Sequence, residues 1–566
     1  MSRALVVLGL VGAAASLIAV PLARGSDLTT VLAKLATYFG LICLVSLVLQ
    51  RFPRLRDAAG KALSSGSSVL DGWLTERRAR YVLAGGIVLY AVVWSVLSIL
   101  RHLALNSSGF DLAIQHQVVW NLAHGRGYES SIEVSNYLGD HVALTLPLFA
   151  PLLWIWDDVR ILLIAQSIVI GLSAWPLYRL ARRRCGRPVD GLLWAFVALM
   201  TPAVGFMNKY DFHDLVLALP FLLAAIDAVD EGRIGRSSIW LLLASATREE
   251  VGLAVMGVGL WALLARRRRL WGGAVALLAL IWSLVALYVV IPHFRQGVSS
   301  DTLDRYVWLG GGPIGILHTL FSDPQRFLAT HYHRVRRLVF PVQLLWPMGG
   351  LPLFALTRAA LAAPNLALSL GSSAISQNSI YFQYNAPILP FLFWAGLEGF
   401  RRLERGGASR AMLIVWVLFG LAAANWADPA AFKSVPRPYT IVDGVRPRPN
   451  RDAFREAARI VPSDAGLVAG EHLAPQFSAR RHLRVFTLRK GVTEEPWVIL
   501  DLTDVRHIES PTELARGAAR WVVEKGYRVV FFRDGILLLC RACPGEPKAY
   551  EALRAYLSGS GISLAG

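Results

Sequence analysis

Residues 106–141 read NSSGFDLAIQHQVVWNLAHGRGYESSIEVSNYLGDH. This is the first long polar stretch to follow a hydrophobic span, and it decides how the rest of the chain is read. Two acidic positions, Asp111 and Asp140 with its neighbour His141, flank an amphipathic run through Ile114, Val118 and Leu122. Ser108 precedes Asp111 by three residues, the spacing of a helix N-cap whose acid returns to the cap. A carboxylate at a membrane surface can equally accept a proton from an incoming hydroxyl. The two readings of Asp111 are compatible.

The chain outside this loop is a membrane frame. It has 566 residues, 55% of them hydrophobic, and a mean hydropathy of +0.46, which excludes an ordinary soluble domain. The net charge of +19 invites a nucleic-acid reading. The basic residues, however, sit in short clusters between apolar spans, where positive-inside bias puts them. Apolar stretches predict crossings at 4–22, 28–50, 81–100, 160–181, 189–206, 214–229, 237–248, 251–265, 271–291, 338–356, 359–371, 386–400 and 410–426, about thirteen in all. The basic segment 51–80 and the runs Arg182 to Arg184, Arg266 to Arg269 and Arg401 to Arg410 then lie inside, and the opening loop outside. Residues 142–156 are apolar but hold Pro147 and Pro151. Were they a crossing, every later basic run would face outward, so they read as a re-entrant or interfacial segment.

On the same outer face this topology collects Asn208 to Asp214, Arg248-Glu249-Glu250, the loops 292–337 and 371–385, and everything after about 427. The 292–337 loop breaks the charge rule with Arg295, Arg305, Arg326, Arg334, Arg336 and Arg337. An anionic ligand or lipid headgroups would each account for arginines there. His331 and His333 raise a metal, though their spacing splits them between helix faces. Glu249 and Glu250, at membrane depth beside Arg248, are functional candidates or an ion pair. Tyr384, within Gln383-Tyr384-Asn385, offers an aromatic platform to a sugar or belongs to the interfacial aromatic belt.

After a Pro-rich connector, alternating elements predict a small α/β domain: helices at 452–461, 512–525 and 547–557, strands at 466–470, 483–488, 497–502, 527–533 and 535–541, the last two a hairpin around Asp534-Gly535. Cys540 and Cys543 form one C-x-x-C, too few ligands for a zinc site; a local disulfide and two thiols both fit. The fold class is therefore a mainly α polytopic membrane protein with a C-terminal extracytoplasmic α/β domain. It divides into a two-helix extension and cytoplasmic linker (1–79), a transmembrane domain with outer loops (80–427) and the α/β domain (428–566). No Gly-x-Ser-x-Gly or His-Glu-x-x-His is present, so a hydrolase finds no support.

The succession Ser108-Gly-Phe-Asp111-Leu-Ala-Ile, Trp120-Asn121, Asp140-His141, Asp211-Phe-His213 and Glu249-Glu250 resembles a family of bacterial polytopic membrane proteins catalogued as a domain of unknown function. More distantly it is similar to the C-type glycosyltransferase superfold, whose first outer loop carries a catalytic acid and whose donors are polyprenyl-phosphate sugars. The resemblance implies an inverting, lipid-phosphate-sugar-dependent glycosyltransferase of the bacterial cytoplasmic membrane, acting on an envelope glycan, lipid or protein at the outer face. Asp111, Asp140 and His141 would be catalytic. Gln115, Lys209, Asp211, His213, Glu249, Glu250, Arg305, His331, His333, Arg334, Arg337 and Tyr384 would bind substrate, with a divalent metal as an optional companion. The alternative is a transporter or flippase for a lipid-linked or anionic solute, for which inverted repeats would speak; none is evident in the sequence.

Overall fold

The structure, a computed structural model, describes residues 72–559 except 266–267, 297–303, 324–333, 427–442, 487–493 and 505–510, together with a few isolated positions. The two crossings expected at 4–22 and 28–50, and His331 and His333, lie outside the described residues.

Helix α1 (Glu76–Leu103) begins at Thr75, whose side chain accepts the Arg78 N–H, and carries Glu76 in its first turn and Arg101 and His102 in its last. These charges oppose the helix dipole at both ends. Its 28 residues extend about 42 Å at 1.5 Å per residue, more than the ~30 Å of a hydrocarbon core. One face, with Val88, Leu89, Val92 and Val96, is exposed, and the other, with Leu83, Ile87 and Tyr90, is buried. That division suits a helix between lipid and protein.

After α2 (Ile114–Ala123) come α3 (Arg160–Leu172) and α4 (Ala174–Cys185), then α5 (Pro188–Met200) and α6 (Pro202–Lys209), α7 (Ala218–Asp230), α8 (Ile234–Ser245), α9 (Val251–Ala265) and α10 (Arg269–Val285). Helices α11 (Leu389–Arg405) and α12 (Arg410–Trp426) complete the bundle. Helix α11 is buried without interruption from Leu389 to Arg401 and forms its axis. Helices α9 and α10 touch through glycine: a Cβ on Gly259 would stand 2.6 Å from Ala276 N, so the two backbones need the small residue to meet.

Four stretches among the described residues are long and apolar enough to cross a membrane: Glu76–Leu103, Arg160–Cys185, Arg269–Arg295 and Leu351–Gly371. The pair α5 and α6, bent by 46°, makes a fifth if taken as one. Other expected crossings appear as shorter apolar helices, such as Val251–Leu264 and Arg410–Asn425. The apolar segment after the opening loop, Leu146–Ile155, is also a short helix, with Trp154 and Ile155 exposed.

The bundle has two polar ends. At one, Glu76 pairs with Arg182, Arg183 lies 2.8 Å from Asp227 and Arg179 lies 2.7 Å from Glu231. Asp227 and Asp230 at the end of α7, with Glu231 just after it, face these arginines. At the other end, Arg101 of α1 pairs with Asp211, and there the opening loop and C-terminal domain gather.

The C-terminal domain holds α13 (Arg451–Ile460), β1 (Leu467–Ala469), β2 (Leu483–Val485), β3 (Trp497–Asp501), α14 (Pro511–Val523), β4 (Arg528–Arg533), β5 (Ile536–Cys540) and α15 (Pro547–Gly559). Its sheet order is β2-β1-β3-β5-β4. Strands β2, β1 and β3 run parallel, and β5 pairs antiparallel with both β3 and β4. The β4–β5 turn places both Asp534 and Gly535 at positive φ, as a two-residue hairpin requires. Cys540 and Cys543 are joined by a disulfide.

The domain packs on the opening loop. Leu112, Ile114 and Val118 share one buried cluster with Phe454, Leu467, Phe477 and Ile499. Ser131 Oγ donates to Leu483 O at 2.8 Å and accepts the Leu483 N–H at 2.9 Å, which covers the open edge of β2. Gln117 Nε2 donates to Arg480 O at 2.9 Å.

Candidate active site

The expected cap at Ser108 does not form. Gly109–Ala113 is one π-helical turn, and the Ser108 side chain makes no capping bond. The Ser108 N–H, which a capping acid at Asp111 would take, donates instead to Asp211 Oδ2 at 2.8 Å. Asp211 sits at φ +74°, in the left-handed region that Asp tolerates better than most residues. Its carboxylate is fixed by the buried Arg101.

Asp111 is thereby available for other partners. Its Oδ1 lies 2.8 Å from His213 Nε2, and its Oδ2 accepts the Tyr210 hydroxyl at 2.8 Å. The Tyr210 and His213 rings stack with centroids 5.5 Å apart. The Asp111 side chain stays 22% exposed while that of His213 is 2% exposed. Burial pushes the Asp111 carboxyl upward, but the His213 ring, Tyr210 and Ser108 outweigh it and hold the group at about 2. The result is a carboxylate ionised at neutral pH, with lone pairs left for a further donor.

A second cluster lies beside the first. His141 Nδ1 is 2.9 Å from Glu249 Oε1, and the Val142 N–H donates to Glu249 Oε2 at 3.0 Å. Burial alone would raise the Glu249 carboxyl, yet His141, Arg248 and the Val142 N–H bring it to about 2. For His141, burial and Arg248 oppose the charged ring, and Asp140 and Glu249 prevail, leaving its pKa above the ordinary value. Asp140 faces Arg295, 3.8 Å away, and Arg295 also donates to Gly139 O at 3.2 Å. Arg248 donates to Asp214 Oδ1 at 2.7 Å. Gln115 Nε2 donates to Tyr137 and, at 3.5 Å, to Asp214 Oδ1, so it belongs here and not with Asp111.

The 380s loop links the clusters. Phe382 packs edge-on against Tyr210 at 4.6 Å, and two residues later the Tyr384 hydroxyl accepts from Arg305 Nη1 at 3.3 Å. Burial and Glu249 raise the Glu250 carboxyl, while Arg248, His141 and Arg305 oppose them. Arg305 thus acts electrostatically on the second cluster while its guanidinium touches the loop that packs on the first.

Of the residues singled out in the sequence, Asp111, Asp211 and His213 come together, as do Gln115, Asp140, His141 and Glu249; Arg305 pairs with Tyr384 and acts electrostatically on Glu250 beside the second cluster. Lys209 is buried at the end of α6. Arg334 and Arg337 lie in a helical stretch, Arg334–Leu345. Among the described residues no group of three or more His, Cys, Asp or Glu side chains is disposed to hold a metal ion.

The sequence reading missed Arg101, which sets Asp211, and Tyr210, which shares Asp111 with His213. It also missed Glu471, which accepts the Ser108 hydroxyl at 3.2 Å. Glu471 follows a predicted strand, and the carboxyl end of a parallel strand is where ligand-binding residues concentrate.

These features define a multi-pass membrane protein with a composite polar site at one end of its bundle. The chain belongs to the family described as "Predicted membrane protein (DUF2079)", which it matches over residues 101–538. No curated protein matches the sequence. Among solved structures it is similar to ArnT from Cupriavidus metallidurans bound to undecaprenyl phosphate, with 12% identity and a TM-score of 0.48, over 82% of this chain and 99% of that one. The apo state of the same protein gives 11% identity and a TM-score of 0.46, over 81% and 98%.

Proposed function

We propose that the protein is an inverting glycosyltransferase that moves a sugar from a polyprenyl-phosphate donor to an envelope acceptor. It would work at the outer face of the bacterial cytoplasmic membrane, with the C-terminal domain extracytoplasmic. The observation that carries the reading is the Asp111 carboxylate: ionised, partly exposed, and held from behind by His213 and Tyr210 at 2.8 Å each.

Asp111 accepts the hydrogen bond of the acceptor hydroxyl and aims its oxygen at the anomeric carbon. The new bond forms between that oxygen and the anomeric carbon. The bond from the anomeric carbon to the phosphate oxygen breaks, and its electron pair leaves with the lipid phosphate. A carboxylate held near 2 is a weak base for a free alcohol. It becomes competent late, once the attacking oxygen has bonded to carbon and turned strongly acidic, and the proton then passes to Asp111. Arg305, with Arg295, Arg334 and Arg337 of the same loop as further candidates, offsets the charge gathering on the phosphate. Asp140, His141, Glu249 and Glu250 orient the acceptor. A divalent metal is not required by this scheme.

The alternative, transport, would use the same arginines along a path through the bundle. Transfer is favoured by the gathering of Asp111 with Tyr210 and His213 in one polar cluster.

The test is the full-length protein in detergent, incubated with a panel of polyprenyl-phosphate sugars and assayed for donor consumption. Asp111→Asn is expected to express and fold normally and to lose about 10²- to 10⁴-fold of transfer. An Asp111→Asn protein with full activity removes the assignment.

A further inference from the structure

The opening loop and the C-terminal domain meet closely at one point. Gly109 has no room for a side chain: a Cβ there would lie 2.7 Å from Glu471 O and 3.0 Å from Val485 Cγ2. This brings Ser108 Oγ to 3.2 Å from Glu471 Oε1, and the Ser108 N–H is already held by Asp211 at 2.8 Å. One serine therefore joins a carboxyl group of the C-terminal domain to the acid that sets the turn carrying Asp111. Behind Glu471, His472 lies 2.7 Å from Asp504, and Arg448 holds Asp504 at 2.9 Å and Asp501 at 2.8 Å. Glu471, His472 and Asp504 sit just past the carboxyl ends of the parallel strands β1 and β3, the edge at which open α/β sheets present functional groups.

We propose that Glu471 of the C-terminal domain is a positioning residue for the reaction at Asp111: it holds Ser108, and through Ser108 it keeps the Asp111 turn in its working place. The inference rests on the transferase reading, and it makes the C-terminal domain part of the active site.

The charges around Glu471 explain why the neutral form is the one that fits. Asp111 faces it from the loop, Asp211 from beyond α6, and Asp504 from its own domain. Burial, then Asp111, and with them Asp504 and Asp211, push the carboxyl up to about 8, against the Ser108 hydrogen bond. The folded protein therefore binds a proton there that the unfolded chain releases near 4.5. Stability from this group falls as pH rises between those two values. Ionised Glu471, above about 8, adds a third negative charge beside Asp111 and Asp211 and loosens the turn.

The experiment compares full-length wild type, Glu471→Gln and Asp111→Asn in detergent. Transfer from the active polyprenyl-phosphate sugar is followed across pH, and thermal midpoints are measured over the same range. Wild-type turnover is expected to fall above about 8, with kcat affected more than KM. Glu471→Gln, which keeps the hydrogen-bonding shape and cannot ionise, should hold its activity there and lose the downward slope of midpoint with pH. If Asp111→Asn abolishes transfer while Glu471→Gln tracks wild type in both measurements, the Glu471 proposal is overturned and the transferase reading stands. If no sugar is transferred by any protein but the wild-type slope is absent from Glu471→Gln, the transferase reading fails while the coupling of Glu471 to the turn is upheld. A Glu471→Gln protein that folds but is inactive at every pH also overturns the proposal, because the neutral form would then not suffice.

Discussion

Asp211 accepts the main-chain N–H of Ser108 at 2.8 Å, and this one bond separates structure from chemistry in the opening loop. The acid at Asp111 would otherwise turn back to cap its own helix. Asp211 does that work from a distant segment, held by Arg101, and Asp111 is left to face outward. Removing the Asp211 carboxylate would leave Arg101 buried without its partner, a change that costs about 3–5 kcal/mol. Asp211→Ala is expected to lower the thermal midpoint of the detergent-solubilised protein sharply and to lose transfer with it. Asp211→Asn, which tolerates positive φ and still accepts the Ser108 N–H, should recover part of the stability. Equal midpoints for Asp211→Ala and wild type would show that the buried pair is not holding the turn.

His213, 2.8 Å from the Asp111 carboxylate, is the main partner that lowers its pKa against burial. The folded carboxyl lies at about 2, below its ordinary 3.8, so its contribution to stability is complete above the ordinary value and is lost as pH falls toward the folded one. In His213→Leu the lowering influence of the ring disappears, and only Tyr210 and Ser108 remain to oppose burial. The acid limb of the transfer profile should then move upward by at least about one pH unit, since each unit reflects 1.36 kcal/mol of differential interaction. Full pH–activity profiles of the two proteins decide the matter, and superimposable acid limbs would refute the coupling.

Much of this site was legible in the sequence because its acids interrupt hydrophobic spans. Asp140-His141 and Glu249-Glu250 stand where polar sequence meets apolar, and Asp111 and Asp211 to Asp214 lie in polar segments that the topology collects on the same face. What the chain alone could not supply was pairing across distance. Asp111 meets His213 over 102 positions, and His141 meets Glu249 over 108. Hydropathy carries no information on which boundary faces which. The strands of the C-terminal domain were read close to their observed limits because short continuous apolar runs such as Trp497–Asp501 and Ile536–Cys540, and the turn residues Asp534-Gly535, are local signals. Its seat on the opening loop was not, since Ser131 and Leu483 are ordinary residues until they meet 352 positions apart. Crossings such as 251–265 were drawn from apolarity, yet Val251–Leu264 is short for a span and meets α10 through Gly259 and Gly272. Apolarity marks burial in protein and burial in lipid alike.

Under the transferase reading, Arg305 is the cation proposed to meet the donor phosphate. Its Nη1 donates to the Tyr384 hydroxyl at 3.3 Å, its carbonyl accepts the Ser373 N–H, and the 380s loop it touches packs on Tyr210. If the guanidinium stabilises charge that develops as the lipid phosphate leaves, its benefit is larger in the transition state than with bound donor. Arg305→Ala should then lower kcat by about 10²- to 10³-fold, the scale for losing one such electrostatic group, with a smaller rise in KM. Arg305→Lys keeps the charge without the fork of donors and should fall between the two. Tyr384→Phe removes only the hydroxyl that holds the guanidinium, so it should shift kcat in the same direction by a lesser amount. The measurement is steady-state transfer at varied donor concentration. A rise in KM alone, with kcat intact in all three variants, would make Arg305 a donor-binding residue and move the stabilising charge elsewhere in the loop.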